Sequence, residues 1–231
     1  MSFPKQVPVL SEEDKTIRDD FMKLWHEKLP GKYSVFERFN HEFPLKGAKP
    51  GEKILEIGAG LGEHLKYESD NWGEYYCLEL RPNMANAIKQ KCRRAEIIIG
   101  DCQQKTSFPD SYFDRILAIH VLEHLPNLPA ALKEISRILK PDGFFNICIP
   151  CEGGFAYSLA RTISTKRLFE KYYPGKNYND IVIKTEHINM PSEIIQETER
   201  YFIIEEKRYF PLLIPITTIN LVIGLSMVKK L

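Results

Sequence analysis

Ile54-Leu55-Glu56-Ile57-Gly58-Ala59-Gly60-Leu61-Gly62 is the stretch that decides the fold. An apolar run passes into Gly58, Gly60 and Gly62, and a helix is predicted over Gly62–Ser69. Glycines at a strand-to-helix crossing let the backbone turn tightly and let a ligand approach the main chain. A helix starting there adds unpaired amides. Glu79 stands at the end of the next apolar run, where a carboxylate can accept both hydroxyls of an adenosine ribose.

Apolar runs and amphipathic stretches alternate outward from this point. Strands are predicted at Lys53–Ile57, Tyr75–Leu80, Ala95–Ile99, Phe113–Ile119 and Phe144–Ile149. Helices are predicted at Pro82–Cys92 and Leu128–Leu139, the latter with Leu128, Leu132, Ile135 and Leu139 on one face. Such alternation implies a parallel sheet covered on both faces. Upstream, Ser11-Glu12-Glu13-Asp14 starts a helix carrying Ile17, Phe21, Leu24 and Trp25, which Pro30-Gly31 stops. A short helix follows near Val35–Phe43 and a linker over Lys46–Glu52. Downstream, Cys151–Glu186 breaks the rhythm with a helix near Ala156–Lys171 and a Tyr-, Gly- and Asn-rich stretch, read as an insertion over the ligand-binding edge. A helix at Ser192–Tyr201 and antiparallel strands at Phe202–Phe210 and Asn220–Val228 close the chain.

The 231 residues make one domain, 43% hydrophobic and 27% charged, enough for one sizeable core. Its parts are N-terminal helices (1–45), a cofactor-binding core (46–150), an insertion or lid (151–190) and a C-terminal helix with two strands (191–231). A formal net charge of +1 gives no support for a nucleic-acid partner, and none is expected. Cys148 and Cys151 form a C-x-x-C, but no second pair follows for zinc, so free thiols and no metal site are expected. Met1–Leu10 lacks the pattern of a signal peptide, and a cytoplasmic location is expected. Phe210–Val228 is uncharged over 19 residues, yet Pro211, Pro215, Asn220 and Gly224 make it a poor membrane span. A loop and a buried strand explain it better, with Phe210–Ile216 either an apolar rim touching a membrane or a lipid carrier or simply the packed loop joining the last two strands.

A dinucleotide fingerprint needs a small residue at position 63, where this chain has Glu63. A negative charge there would repel a pyrophosphate. A sulfonium cofactor carries no phosphate, and Glu56 suits its ammonium.

These residues resemble the class I S-adenosylmethionine-dependent methyltransferases, especially the small type called methyltransferase type 11. The resemblance spans about Gly51–Pro150. Its marks are E-I-G-A-G-L-G, Glu79, Gly100-Asp101-Cys102, Phe113-Asp114 through His120-Val121-Leu122-Glu123-His124-Leu125, and Leu139-Lys140-Pro141-Asp142-Gly143. It implies a Rossmann-like α/β three-layer sandwich, with a mostly parallel seven-stranded sheet and an antiparallel seventh strand. It implies S-adenosylmethionine held by Glu56, Gly58, Ala59, Gly60, Gly62, Glu79, Leu80, Asp101, Cys102 and His120. Asp101 would meet the adenine amino group. Asp114 reads as structural and His124 as a turn anchor.

Methyl transfer from a sulfonium needs acceptor and methyl held in line, and an oxygen acceptor also needs a base. Candidates are His120, His187 and Glu123, with His187 alternatively only fixing the lid. Tyr157, Arg161 and Arg167, with Lys166, Lys171, Tyr172 and Tyr173, suit an anionic sugar or a lipid-linked phosphate, or form a solvated helix face. The stretches Glu152-Gly153-Gly154, Glu186-His187-Ile188-Asn189 and Tyr209-Phe210-Pro211 look like bacterial methyltransferases of cell-surface polysaccharide synthesis. The leading expectation is therefore methylation of a small molecule or glycan precursor. A quinone or lipid acceptor is the alternative and would require an apolar acceptor site. A non-catalytic cofactor-binding regulator is a third reading.

Overall fold

A computed structural model of the chain describes residues 2–28 and 34–230, without the side chains of 25–28 and 34. The Pro30-Gly31 helix stop and the Trp25 side chain lie outside the described residues. Seven strands form one sheet: β1 (Lys53–Ile57), β2 (Glu74–Glu79), β3 (Glu96–Ile99), β4 (Phe113–Ile119), β5 (Leu139–Pro150), β6 (Phe202–Phe210) and β7 (Val222–Lys229). Their order is β3-β2-β1-β4-β5-β7-β6, and β7 runs antiparallel to both of its neighbours. The expected Rossmann-like sheet is therefore present, with its antiparallel strand enclosed by β5 and β6.

The strands are apolar on both faces because both are covered. On one face Leu55, Ile116, Phe145 and Ile147 pack with Leu128, Leu132 and Ile135 of α4 (Leu128–Ile138). On the other, Ile54, Tyr75, Cys77 and Leu117 pack with Ile88 of α3 (Pro82–Lys91). The connections reverse direction between β1 and β4. In open α/β sheets the crevice at that switch, at the carboxyl ends of the strands, is where ligands bind.

One predicted helix is absent. Gly62–Ser69 holds only a 3-10 turn, His64–Lys66. His64 and Glu68 turn inward instead of facing solvent, while Glu63 and Lys66 stay exposed. Glu68 Oε2 lies 2.8 Å and Glu52 Oε1 2.7 Å from Nη2 of Arg115, whose side chain is fully buried on β4. Arg115 Nη1 also donates to the Pro44 carbonyl, and His64 Nε2 lies 2.9 Å from Glu68. Side-chain anchors to a buried cation replace an apolar helical face here.

The N-terminal helix α1 (Glu12–Lys28) begins as predicted, with Ser11 Oγ accepting the Asp14 N–H. Ser11 also donates to the Asp14 carboxylate. Phe21 of α1 is fully buried, edge-on to Phe169 with ring centroids 5.1 Å apart. Tyr178, Ile181 and Val182 complete this small core. The insertion is thus packed on α1. Within it, α5 (Phe155–Arg161) and α6 (Arg167–Tyr172) are joined by a π-helical turn, Thr162–Lys166. A one-turn α7 (Lys184–Glu186) and α8 (Pro191–Thr198) follow, and α2 (Ser34–Glu42) lies before the sheet.

The apolar segment at 210–228 is a loop followed by β7. Among the described residues no helix is long and apolar enough to cross a membrane. All five cysteines are free, and Cys148 and Cys151 are fully buried. Burial pushes the Cys151 thiol up to about 12, so the C-x-x-C is core rather than a redox pair.

Candidate cofactor and acceptor site

The glycine loop leaves β1 in the left-handed conformation, with φ of 65°, 55° and 74° at Gly58, Gly60 and Gly62. Side-chain-bearing residues adopt that region only at a cost. A Cβ on Gly58 would stand 2.5 Å from Val121 Cγ2, whereas one on Gly60 would point into open space. Gly58 is thus needed for packing, and Gly60 leaves its main chain bare to a ligand. The Gly58 N–H donates to the Leu78 carbonyl, tying the loop to β2.

Glu79 ends β2 and is 2% exposed. Its carboxylate accepts the N–H groups of Gly60 and Arg81, each at 2.9 Å, and so stands fixed beside the loop. Leu80 follows with its side chain exposed, a flat apolar surface for a base. Asp101, after β3, is oriented by the Gln103 N–H and side-chain amide. Cys102 is buried among core residues, its thiol pushed up by burial to about 12, so only its backbone can reach a ligand. Ala59 is buried against the second face of the sheet.

Glu56 sits next to the loop, almost fully buried, and accepts the Tyr75 hydroxyl at 2.7 Å. Burial pushes its carboxyl up to about 7, against the pull of His64. An incoming cation would reverse that shift.

These residues fit an adenosine-bearing cofactor with a cationic end. They fit a dinucleotide poorly, for a different reason than the charge of Glu63 alone. Glu63 is flanked by Lys66 at 2.9 Å and Lys91 at 3.4 Å, so its charge is offset. What is missing is the helix whose N-terminus would face a pyrophosphate.

The acceptor side is built at the ends of β4 and β5. His120 takes φ 53°, outside the region usual for its residue type, and stacks on Phe36 of α2 with centroids 5.9 Å apart. Its Nδ1 lies 3.3 Å from Glu123, and its buried Nε2 has no partner. Glu123 is 1% exposed. Burial pushes its carboxyl up, but His120, His124 and His187 outweigh that and hold it low. His124 lies edge-on to His187, centroids 5.2 Å apart, with its Nδ1 3.5 Å from Glu186. His187 Nδ1 lies 2.8 Å from Glu152, which also meets Arg161 at 2.5 Å. His187 and Arg161 outweigh burial and hold Glu152 at about 2. Arg161 lies over the Tyr157 ring at 5.4 Å. The Asn189 side chain, fully buried, donates to the carbonyls of Leu122 and Leu125, clamping the insertion's end to the β4 turn.

His120, His187, Tyr157 and Arg161 therefore join one chain of contacts through Glu123, His124 and Glu152. Arg167 does not: it is exposed and enters none of the described hydrogen bonds or ion pairs. Asp114 anchors the opposite end of the sheet, accepting the Lys53 N–H and Lys140. Glu152, noted only within a resembling stretch, and Phe36 were not singled out as site residues by the sequence reading. Glu152 follows a strand end just as Glu79 does, which is a usable signal; Phe36 carries none.

Residues 55–147 match the family model of a methyltransferase domain. Over that span, about two fifths of the chain, the core is similar to class I S-adenosylmethionine-dependent methyltransferase domains. A sterol 4-C-methyltransferase of Caenorhabditis elegans is 28% identical over 153 residues, covering 64% of this chain and 43% of that protein. A demethylmenaquinone methyltransferase of Tropheryma whipplei is 29% identical over 109 residues, covering 45% of this chain and 44% of that protein. This chain thus spans less than half the length of these relatives. The solved PH0226 protein of Pyrococcus horikoshii superposes on this chain with a TM-score of 0.65 at 18% identity, covering 90% of this chain and 99% of that one. It shares the fold.

Proposed function

We propose that this chain transfers a methyl group from S-adenosylmethionine to a small acceptor with an apolar body, of the quinone or lipid class. The aromatic wall beside His120 carries this reading. Phe36 stacks on His120, and Phe39 stacks on Phe210 at 4.9 Å, all on a small core with Phe43 and Val222. The relatives named for sterol and menaquinone-precursor methylation point the same way. The glycan-precursor expectation rested on the basic and aromatic residues of the insertion, Arg161 and Arg167 foremost, and on the resemblance of three short stretches. Among the described residues Arg161 is paired with Glu152 and Arg167 lies outside the cluster, which weakens that reading.

Bound S-adenosylmethionine supplies an electrophilic methyl on sulfur. Glu79 would accept the ribose hydroxyls, Asp101 the adenine amino group, and ionised Glu56 the ammonium. Glu123 favours the His120 tautomer with a proton on Nδ1, leaving Nε2 free to take a proton from an acceptor hydroxyl. His187, held by Glu152, positions the lid rather than the proton.

Thermal unfolding with S-adenosylmethionine, S-adenosylhomocysteine or NAD tests the cofactor. The two sulfur compounds should each stabilise the protein by about 2.7 kcal/mol at a hundredfold excess over Kd, and NAD should not. Transfer of labelled methyl to a prenylated hydroquinone, and not to an anionic sugar nucleotide, should follow. The opposite acceptor preference would sink the apolar reading.

A further inference from the structure

The face of α5 turned away from Tyr157 and Arg161 is apolar. Phe155, Leu159 and Ile163 recur every fourth residue and are 68%, 48% and 67% exposed. The same spacing continues to Arg167 and Lys171 on α6, both exposed and in none of the described ion pairs. The helix thus presents an apolar stripe that ends in two free cations. Glu170, the one acid on α6, faces Lys166 at 3.7 Å.

The β6–β7 loop meets α5. Its turn at Thr217–Ile219 packs on α5, and a Cβ on Gly154 would stand 2.7 Å from the Thr217 carbonyl. Pro211 to Asn220 carries no charge. Leu212, Leu213 and Ile214 are each at least 47% exposed. This exposure is built in. Asn220 is fully buried, and its side chain accepts the Leu212 N–H at 2.8 Å and donates to the carbonyls of Ile214 and Ile216 at 2.9 Å. Leu213 takes φ 56°, a strained conformation for a leucine, at 68% exposure. No packing on Leu213 requires that strain; the side chain is held outward.

We propose that α5 and the 212–216 loop together form a docking surface for an anionic lipid bilayer. Apolar side chains would enter the headgroup boundary, with Arg167 and Lys171 at the level of the phosphates. Charge selects this occupant. An uncharged loop that meets a helix whose apolar stripe ends in unpaired cations complements an anionic, apolar boundary. A second copy of this same face would set cation against cation. The proposal does not depend on the acceptor: a protein that methylates a soluble molecule could dock in the same way.

Cosedimentation of the full chain with vesicles tests it. Vesicles of phosphatidylcholine mixed with phosphatidylserine should bind the protein, less so in high salt, and pure phosphatidylcholine should bind it at least about tenfold more weakly. Leu213→Asp, and separately the pair Arg167→Glu and Lys171→Glu, should each reduce binding at least about tenfold while melting temperature stays unchanged. Absence of binding to the mixed vesicles, or binding untouched by both variants, overturns the proposal. So does a stable dimer in sedimentation equilibrium that Leu213→Asp dissociates, because a second copy would then be the occupant.

Discussion

Glu56 joins burial to ligand binding in one side chain. Its carboxyl titrates at about 7 in the folded protein, above its ordinary 4.5. Between those values the folded state keeps a proton that the unfolded chain has released. Stability therefore falls as pH rises from about 4.5 through about 7, by on the order of 3 kcal/mol. Denaturant titrations of the cofactor-free protein should show that slope, and Glu56→Gln should flatten it. Cofactor affinity should move oppositely, rising through the same window as Glu56 ionises, and should lose that dependence in Glu56→Gln when followed by calorimetry. Gly60→Val strains a left-handed backbone and fills the open side of the loop. It should weaken cofactor binding at least about tenfold with the fold intact. His120→Ala should lower kcat by about a hundredfold or more and change Kd for the cofactor far less. These residues were legible because strand ends followed by glycine or acid mark ligand contacts. The partner that tunes Glu56, Tyr75, was not, because cross-strand register decides who meets whom.

At the scale of elements, β5 starts at Leu139, so the turn expected at Pro141-Asp142-Gly143 lies within an irregular stretch of strand. Strands β1 and β4 matched their apolar runs, since alternating strands and helices leave little choice of pairing. The link from β1 to β2 did not. A helical pattern gives no warning that Glu68 and His64 will turn toward Arg115, a residue 47 positions further along for Glu68. That cluster invites a direct test. Arg115→Met removes the cation between Glu52 and Glu68 and leaves two buried carboxylates unpaired. A loss of about 3–5 kcal/mol in urea unfolding is expected, where a merely surface role would give less than 1.

Over the whole molecule, the division into N-terminal helices and lid meets a shared core. Phe21, from the first part, is packed among Phe169, Tyr178 and Ile181 of the insertion. Phe21→Ala should cost about 3–5 kcal/mol and open the insertion, not only α1, to limited proteolysis. Cleavage confined to residues before 30 would show that the two parts hold separately. Aromatic side chains over a hundred residues apart carry no mark of their pairing, so this assembly could not be read from one sequence. The fold class could, because it depends on the order of elements and hardly on particular contacts.

The strand synthesised last of the seven is interior to the sheet. Until β7 is made, β5 has an unpaired edge and β6 has no neighbour, while Phe43 lacks Gly224, the residue its ring lies against. The glycine loop and the ends of β1 to β4 can assemble without it. A nascent chain therefore holds much of its ligand-binding edge beside an open, aggregation-prone seam, and only insertion of one strand between two others seals it.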